Sequence, residues 1–252
     1  MSFSIIIICK NEEHNIERCL DSIVSLSDDI VVYDSGSTDK TLELVKKYPV
    51  KLFTGNWEGF GKTRQKAVEL SKNNWVLIVD ADEVVSEKLK EELLSLPLDN
   101  NNIAYRIHLK NHLGNQYIKW GVWGNDFRIR LYNKNIIRWN EDTVHEKLLL
   151  PKNIVLLKLD NTIHHHTAKN FEQFSQKMNQ YALLTAEKYF RQGKRSTLIN
   201  RAFSSFFTFL KGYIFKLGFL DGSNGYRLAK IIAQYTSLKY KRLHELEKNS
   251  KK

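Results

Sequence analysis

The 252-residue sequence has only two cysteines, Cys9 and Cys19, and three prolines. Neither cysteine belongs to a CxxC pair. Cys9 falls in an apolar run and Cys19 in a helical stretch, which excludes a disulfide framework and a zinc knuckle and fits a reducing compartment. Three prolines, with 42% hydrophobic residues, leave little room for long linkers and predict a folded globular chain. No repeat is visible, and no Gly-rich phosphate loop lies between Ser4 and Arg18. The N-terminus lacks the basic start and small-residue cleavage site of a secretory leader, so a cytoplasmic protein is expected. Acidic residues are scarce in one region alone. Residues 188–252 hold 15 Lys/Arg against 3 Asp/Glu, whereas residues 1–187 hold 24 against 25. The whole excess of +11 therefore arises in the last quarter, and an anionic partner is expected there. Nucleic acid is not that partner, because no recognition motif accompanies the charge.

What is present first is alternation. Phe3–Cys9, Ile30–Tyr33, Val50–Phe53 and Trp75–Val79 read as short buried strands. Helical patterns lie between them, over 13–26, 39–48 and 59–72, with Asp39 where an N-cap belongs. This order predicts a mostly parallel, Rossmann-like α/β sheet with flanking helices. A helix over Ser86–Leu96 follows, then strand-like runs at 103–109, 126–132 and 154–159 that continue the sheet. From Phe171 the spacing is helical to the end, which predicts a catalytic domain over 1–170 and a basic amphipathic helical region over 171–252. The run Phe203–Leu220 carries Lys211, Lys216 and two glycines, which suits an interfacial helix better than a span.

The chemistry lies at strand ends. The apolar run Trp75–Val79 stops abruptly at Asp80-Ala81-Asp82. In open α/β sheets ligands bind at the carboxyl ends of the strands. Two carboxylates one residue apart there can meet a hard divalent cation such as Mg²⁺ or Mn²⁺, with phosphate oxygens completing its shell. Lys10-Asn11-Glu12 follows the first strand, and Asp34-Ser35-Gly36-Ser37-Thr38-Asp39 follows the second. Asp34 suits a uracil N–H or a ribose hydroxyl, although the same segment is also ordinary turn chemistry. In His164-His165-His166, adjacent strand residues point to opposite faces, so at most two can share a site. Glu141, Asp142 and Glu146 are further carboxylates able to act as a base.

Lys10-Asn11-Glu12, the Asp34–Asp39 segment and Asp80-Ala81-Asp82, in this order, resemble the family 2 glycosyltransferases of the GT-A fold. Gly59-Phe60-Gly61 with Arg64, Val144-His145-Glu146, His164–Thr167 and Gly218-Phe219-Leu220-Asp221-Gly222 resemble a narrower branch, the bacterial lipopolysaccharide core glucosyltransferases of the WaaE/LgtF type. Gln65 stands where that branch usually carries Asn. The resemblance implies an inverting, metal-dependent transferase that takes a sugar, glucose from UDP-glucose, to a lipid-linked lipopolysaccharide or lipooligosaccharide core. A polyprenyl-linked or other cell-surface polysaccharide acceptor stays open. It implies donor contacts from Asn11, Glu12, Asp34, Arg64 and Asp80, a metal (Mg²⁺ or Mn²⁺) held by Asp82 and His165, and Glu146 as catalytic base. The basic C-terminal region then meets an anionic membrane surface, with the enzyme peripheral on its cytoplasmic face.

Overall fold

Strand β1 (Phe3–Cys9) is buried along its whole length, and the alternation of its side chains divides them between two cores. The computed structural model describes residues 2–140 and 147–250. Ile5, Ile7 and Cys9 face helix α1 (Ile16–Ile23), whose Ile16, Cys19, Leu20 and Ile23 form one buried stripe. Ile6 and Ile8 face the opposite way, into the second core. Strand β2 (Ile30–Asp34) follows the same rule, and helix α2 (Thr41–Val45) leads on to β3 (Lys51–Thr54). Helix α3 (Phe60–Glu69) adds Ala67 and Val68 to the second core, and β4 (Trp75–Ile78) is buried throughout. Burial on both faces is why β1, β2 and β4 read as continuous apolar runs. A large-to-small change in such a core, Leu77→Ala for example, costs about 2–5 kcal/mol.

The chain then turns into β5 (Glu83–Val85) and helix α4 (Glu87–Ser95), capped by the Ser86 hydroxyl, which accepts from Leu89 N at 3.3 Å. Strands β6 (Ile103–Leu113), β7 (Gln116–Tyr117) and β8 (Phe127–Asn133) follow. Next come β9 (Arg138–Trp139) and β10 (Leu148–Leu149), which pair with each other, and the long β11 (Val155–Ala168). Among the described residues, nine strands form one sheet in the order β3-β2-β1-β4-β8-β6-β11-β5, with β7 on β6. The block β3-β2-β1-β4 is parallel. Strand β8 then runs antiparallel to β4 and to β6, and β5 runs antiparallel to β11.

The structure refines several sequence boundaries. The first three helices are shorter than their periodic patterns, and none of them has a side-chain cap at its N-terminus. Lys40, not Asp39, is the N-cap of α2, and Asp39 instead accepts from Thr41 N (3.0 Å) and Glu13 N (3.1 Å). The strand expected at 154–159 extends to Ala168 and takes in the whole histidine triplet.

Two compact units are present. One comprises residues 1–109 and 127–165, the other residues 110–126 and 166–252. The second contains helices α5 (Phe171–Arg191), α6 (Leu198–Leu210) and α7 (Gly222–Asn249). Its core gathers Leu113, Ile118, Phe174, Leu228 and Ile231. The apolar run expected to form a helix over 203–220 is broken. A π-turn occupies Lys211–Phe215, Leu217 takes a left-handed conformation (φ 58°), and a 3₁₀ turn covers Gly218–Asp221. Glycine is required at this bend: a Cβ on Gly225 would stand 1.8 Å from Gly218 O, and one on Gly218 would stand 2.6 Å from Gly212 O. Among the described residues no helix is long and apolar enough to cross a membrane.

Candidate functional site

Three loops at the carboxyl edge of the parallel strands carry the sequence-singled acids. After β1, Asn11 adopts φ 57°, a conformation Asn tolerates better than most residues. Its N–H donates to Ser37 Oγ (2.8 Å), and its Oδ1 accepts from Thr38 N (2.8 Å). Asn11 thus ties the β1 loop to the β2 loop. Glu12 is half-buried beside it and accepts from Asn15 Nδ2 at 2.8 Å. Asp34 is buried at the end of β2. One of its oxygens accepts from Gly36 N and Ser37 N, both at 2.9 Å, and the other from the Ser37 hydroxyl. Asp34 therefore organises its own turn, which passes through Gly36 at φ 94°. The Cys9 thiol lies 3.6 Å from the same carboxylate, and burial together with that charge pushes its pKa well up.

The Asp80–Glu83 segment is a tight turn closed by a hydrogen bond from Glu83 N to Asp80 O (2.9 Å). It separates the roles of its acids. Asp80 Oδ1 receives Arg64 Nη2 at 2.6 Å, and Asp80 Oδ2 receives Arg130 Nη2 at 2.9 Å. The same Arg130 guanidinium also meets Glu83, which is fully buried and whose carboxylate accepts from Asp80 N at 2.9 Å. Burial favours the neutral acid at Asp80, but the two guanidinium charges outweigh it and hold the carboxyl far below the usual range. Burial, aided by the Asp80 charge, pushes Glu83 up. Arg64 is buried, its guanidinium 5.5 Å from the Phe60 ring and 5.1 Å from the Trp139 ring.

Asp82 stands apart from this network. Its Oδ2 lies 3.3 Å from His165 Nε2, because the β5–β11 register sets His165 opposite Glu83, next in sequence to Asp82. Burial disfavours the charged imidazole, but the Asp82 hydrogen bond and the charges of Asp82, Glu83 and Asp80 raise the His165 pKa overall. His164 and His166 alternate to the other face of β11, as strand geometry requires. A carboxylate oxygen and an imidazole nitrogen at contact distance suit Mg²⁺ or Mn²⁺ as a two-donor protein set, the remaining positions being left for phosphate and water oxygens. Among the described residues no group of three or more His, Cys, Asp or Glu is placed to hold a metal ion. The residues present fit the cation.

Sequence reading placed Asn11, Glu12, Asp34, Asp80 and Asp82 at one edge, and the resemblance added Arg64 and His165. The structure brings Arg64 to Asp80 and His165 to Asp82, and keeps Asn11 and Asp34 within their own pair of loops. Glu141, Asp142 and Glu146 lie outside the described residues. Arg130 was missed as part of the site. It is the extra residue of a β-bulge: Tyr105 pairs with Leu131 but Arg106 with Ile129, which leaves Arg130 between them, turned towards Asp80 and Glu83. The signal available was an arginine inside a run expected to form a strand of the sheet.

Residues 4–148 match the family model described as Glycosyl transferase family 2. The chain belongs to that family. It is 29% identical to a protein named "Uncharacterized glycosyltransferase RT0209" from Rickettsia typhi, over 98% of this chain and 88% of the relative. It is 27% identical to the "Lipopolysaccharide core biosynthesis glycosyltransferase LpsC" of Rhizobium meliloti, over 97% of this chain and 93% of that protein. Among solved structures, TarS of S. aureus superposes with a TM-score of 0.50 at 20% identity, over 95% of this chain and 55% of that one. At that identity the likeness is one of fold. This member of family 2 is thus a glycosyltransferase with a nucleotide-sugar donor, built on a GT-A-like sheet with flanking helices and a long C-terminal helix.

Proposed function

We propose that this family 2 enzyme transfers glucose from UDP-glucose, with inversion, to a sugar hydroxyl of a lipopolysaccharide or lipooligosaccharide core at the cytoplasmic face of a membrane. The observation that carries the reading is the division of labour at Asp80-Ala81-Asp82. Asp80 is held by two guanidinium groups, while among the described residues Asp82 pairs with the imidazole of His165. Asp82 and His165 would hold the Mg²⁺ or Mn²⁺ ion, which when bound neutralises charge developing on the departing diphosphate. Arg64, buried against Asp80 and with its guanidinium over the Phe60 and Trp139 rings, presents a fixed cation to the donor. The loops tied by Asn11, with Glu12 and Asp34, form the nucleoside side of the site. Glu146 takes the proton from the acceptor hydroxyl as its oxygen bonds to the anomeric carbon and UDP leaves. The distant relationship to LpsC over nearly the full length supports the core acceptor.

A donor screen tests this reading. The full-length protein with Mn²⁺ and a truncated lipopolysaccharide core should release UDP from UDP-glucose faster than from other UDP-sugars. Release that is equal without acceptor, or confined to another donor, overturns it.

A further inference from the structure

Helix α6 has its apolar stripe on the outside. Ile199, Phe203, Phe206 and Phe207 recur at helical spacing, and such a stripe ordinarily faces a core. Here they are 56–70% exposed. The bend that follows continues the pattern: Ile214, Phe215, Leu217, Phe219 and Leu220 are all exposed, Phe215 by 75%. A contiguous apolar surface of this kind marks an interaction site. Polar contacts anchor the other side of the helix, where Ser205 Oγ donates to Ala233 O of α7 at 2.8 Å. The bend is also held in shape, because a side chain at Gly218 would run into Gly212 O and one at Gly225 into Gly218 O.

Charge identifies the occupant. No Asp or Glu lies between Leu198 and Leu220, and Lys211 and Lys216 are exposed among the apolar residues of the bend. The wider region 188–252 holds 15 basic residues against 3 acidic ones. A second copy of this chain would bring like charges together on the same face. An anionic bilayer meets both needs at once, taking apolar rings at the headgroup boundary and ammonium groups at its phosphates.

We propose that the face formed by α6 and the following bend (199–220) is a membrane-insertion element, with Phe203, Phe206, Phe207, Phe215 and Phe219 entering the headgroup–acyl boundary of an anionic bilayer and Lys211 and Lys216 contacting lipid phosphate. The proposal deepens the reading of a lipid-borne acceptor, and its test is independent of catalysis. The full chain is sedimented with vesicles of phosphatidylethanolamine and phosphatidylglycerol in roughly equal parts, and with phosphatidylcholine vesicles. It should pellet with the anionic vesicles at low salt and leave them as salt rises.

Phe206→Ser/Phe207→Ser/Phe215→Ser should weaken that partition at least about tenfold. Lys211→Gln/Lys216→Gln should weaken it by roughly 25-fold at low salt, about fivefold per basic residue removed. Because these side chains are exposed, both variants should keep the wild-type circular dichroism and nucleotide binding without lipid. Wild-type protein that stays in the supernatant while still binding nucleotide overturns the insertion face and leaves the transferase reading standing. Unchanged pelleting of the phenylalanine variant also overturns it. So does a lipid-free dimer that the phenylalanine variant dissociates, an outcome that would assign the face to a second copy.

Discussion

Arg130 Nη2 stands 2.9 Å from Asp80 Oδ2, although Arg130 lies in β8 and Asp80 in the turn between β4 and β5, and only the bulge in β8 turns the arginine that way. The same guanidinium meets Glu83, so one cation is shared by two acids of the turn that carries Asp82. The turn is held in place from beneath. Arg130→Met should lower stability by about 3–5 kcal/mol, because it leaves a buried carboxylate uncompensated. Adding Glu83→Gln should recover part of that loss, since the neutral amide no longer needs the cation. Urea denaturation of the two single variants and the double variant measures the coupling; strictly additive losses would show that Arg130 and Glu83 do not act together.

Asp82 and His165 should be separable from Asp80 by their response to metal. In calorimetric titrations, UDP affinity with Mn²⁺ should fall on the order of 10–100-fold in Asp82→Asn and in His165→Ala, the range found when metal sites are perturbed. With EDTA, wild type and both variants should bind UDP alike. Equal affinity of the wild type with Mn²⁺ and with EDTA would remove the metal role from this pair.

Glu146→Gln keeps the size and hydrogen bonding of the side chain but cannot take up a proton. Transfer should slow by about 10²–10⁴-fold while UDP-glucose binding is retained. Near wild-type turnover in Glu146→Gln, with loss of turnover in Asp142→Asn, would move the base to Asp142.

Acid stability should depend on Asp29, which is buried at the start of β2. Its carboxylate accepts from Ser4 Oγ, Lys72 N (2.6 Å) and Lys51 Nζ (2.6 Å). Burial opposes ionisation, but these donors outweigh it and the pKa falls below the ordinary carboxylate value. The contribution is therefore complete above about pH 4, where the unfolded chain ionises, and is lost as pH falls through the lower folded value. Lys51 is about half exposed, so its ion pair is the smaller part. Asp29→Asn should cost about 1–3 kcal/mol at neutral pH and flatten the decline in acid. Parallel unfolding curves of wild type and variant from neutral pH into acid check this.

Gly225→Ala should destabilise the second unit by about 1–3 kcal/mol or more, since its methyl would overlap Gly218 O. Thermal unfolding followed by aromatic fluorescence reads the effect. A wild-type melting profile would mean that the bend relaxes at no cost.

The parallel strands and the motifs at their ends were legible in the residues alone. β1, β2 and β4 are buried on both faces, and that condition leaves an unbroken apolar run followed by an abrupt polar loop, a signal written locally. Strand alternation likewise limited the histidine triplet to at most two residues per site, while the choice of His165 came from the resemblance. The partners of Asp80 were not legible, because Arg64 and Arg130 reach it from 16 and 50 residues away, and one of them only through an extra residue in β8. Nor was the break in 203–220, where an apolar pattern suited to a single helix is interrupted by glycine backbones that meet only after α7 has packed. Periodicity reports whether a side chain prefers water. Which cation neutralises a buried acid, and where two backbones touch, depends on chain segments far apart in sequence, and packing alone brings those together.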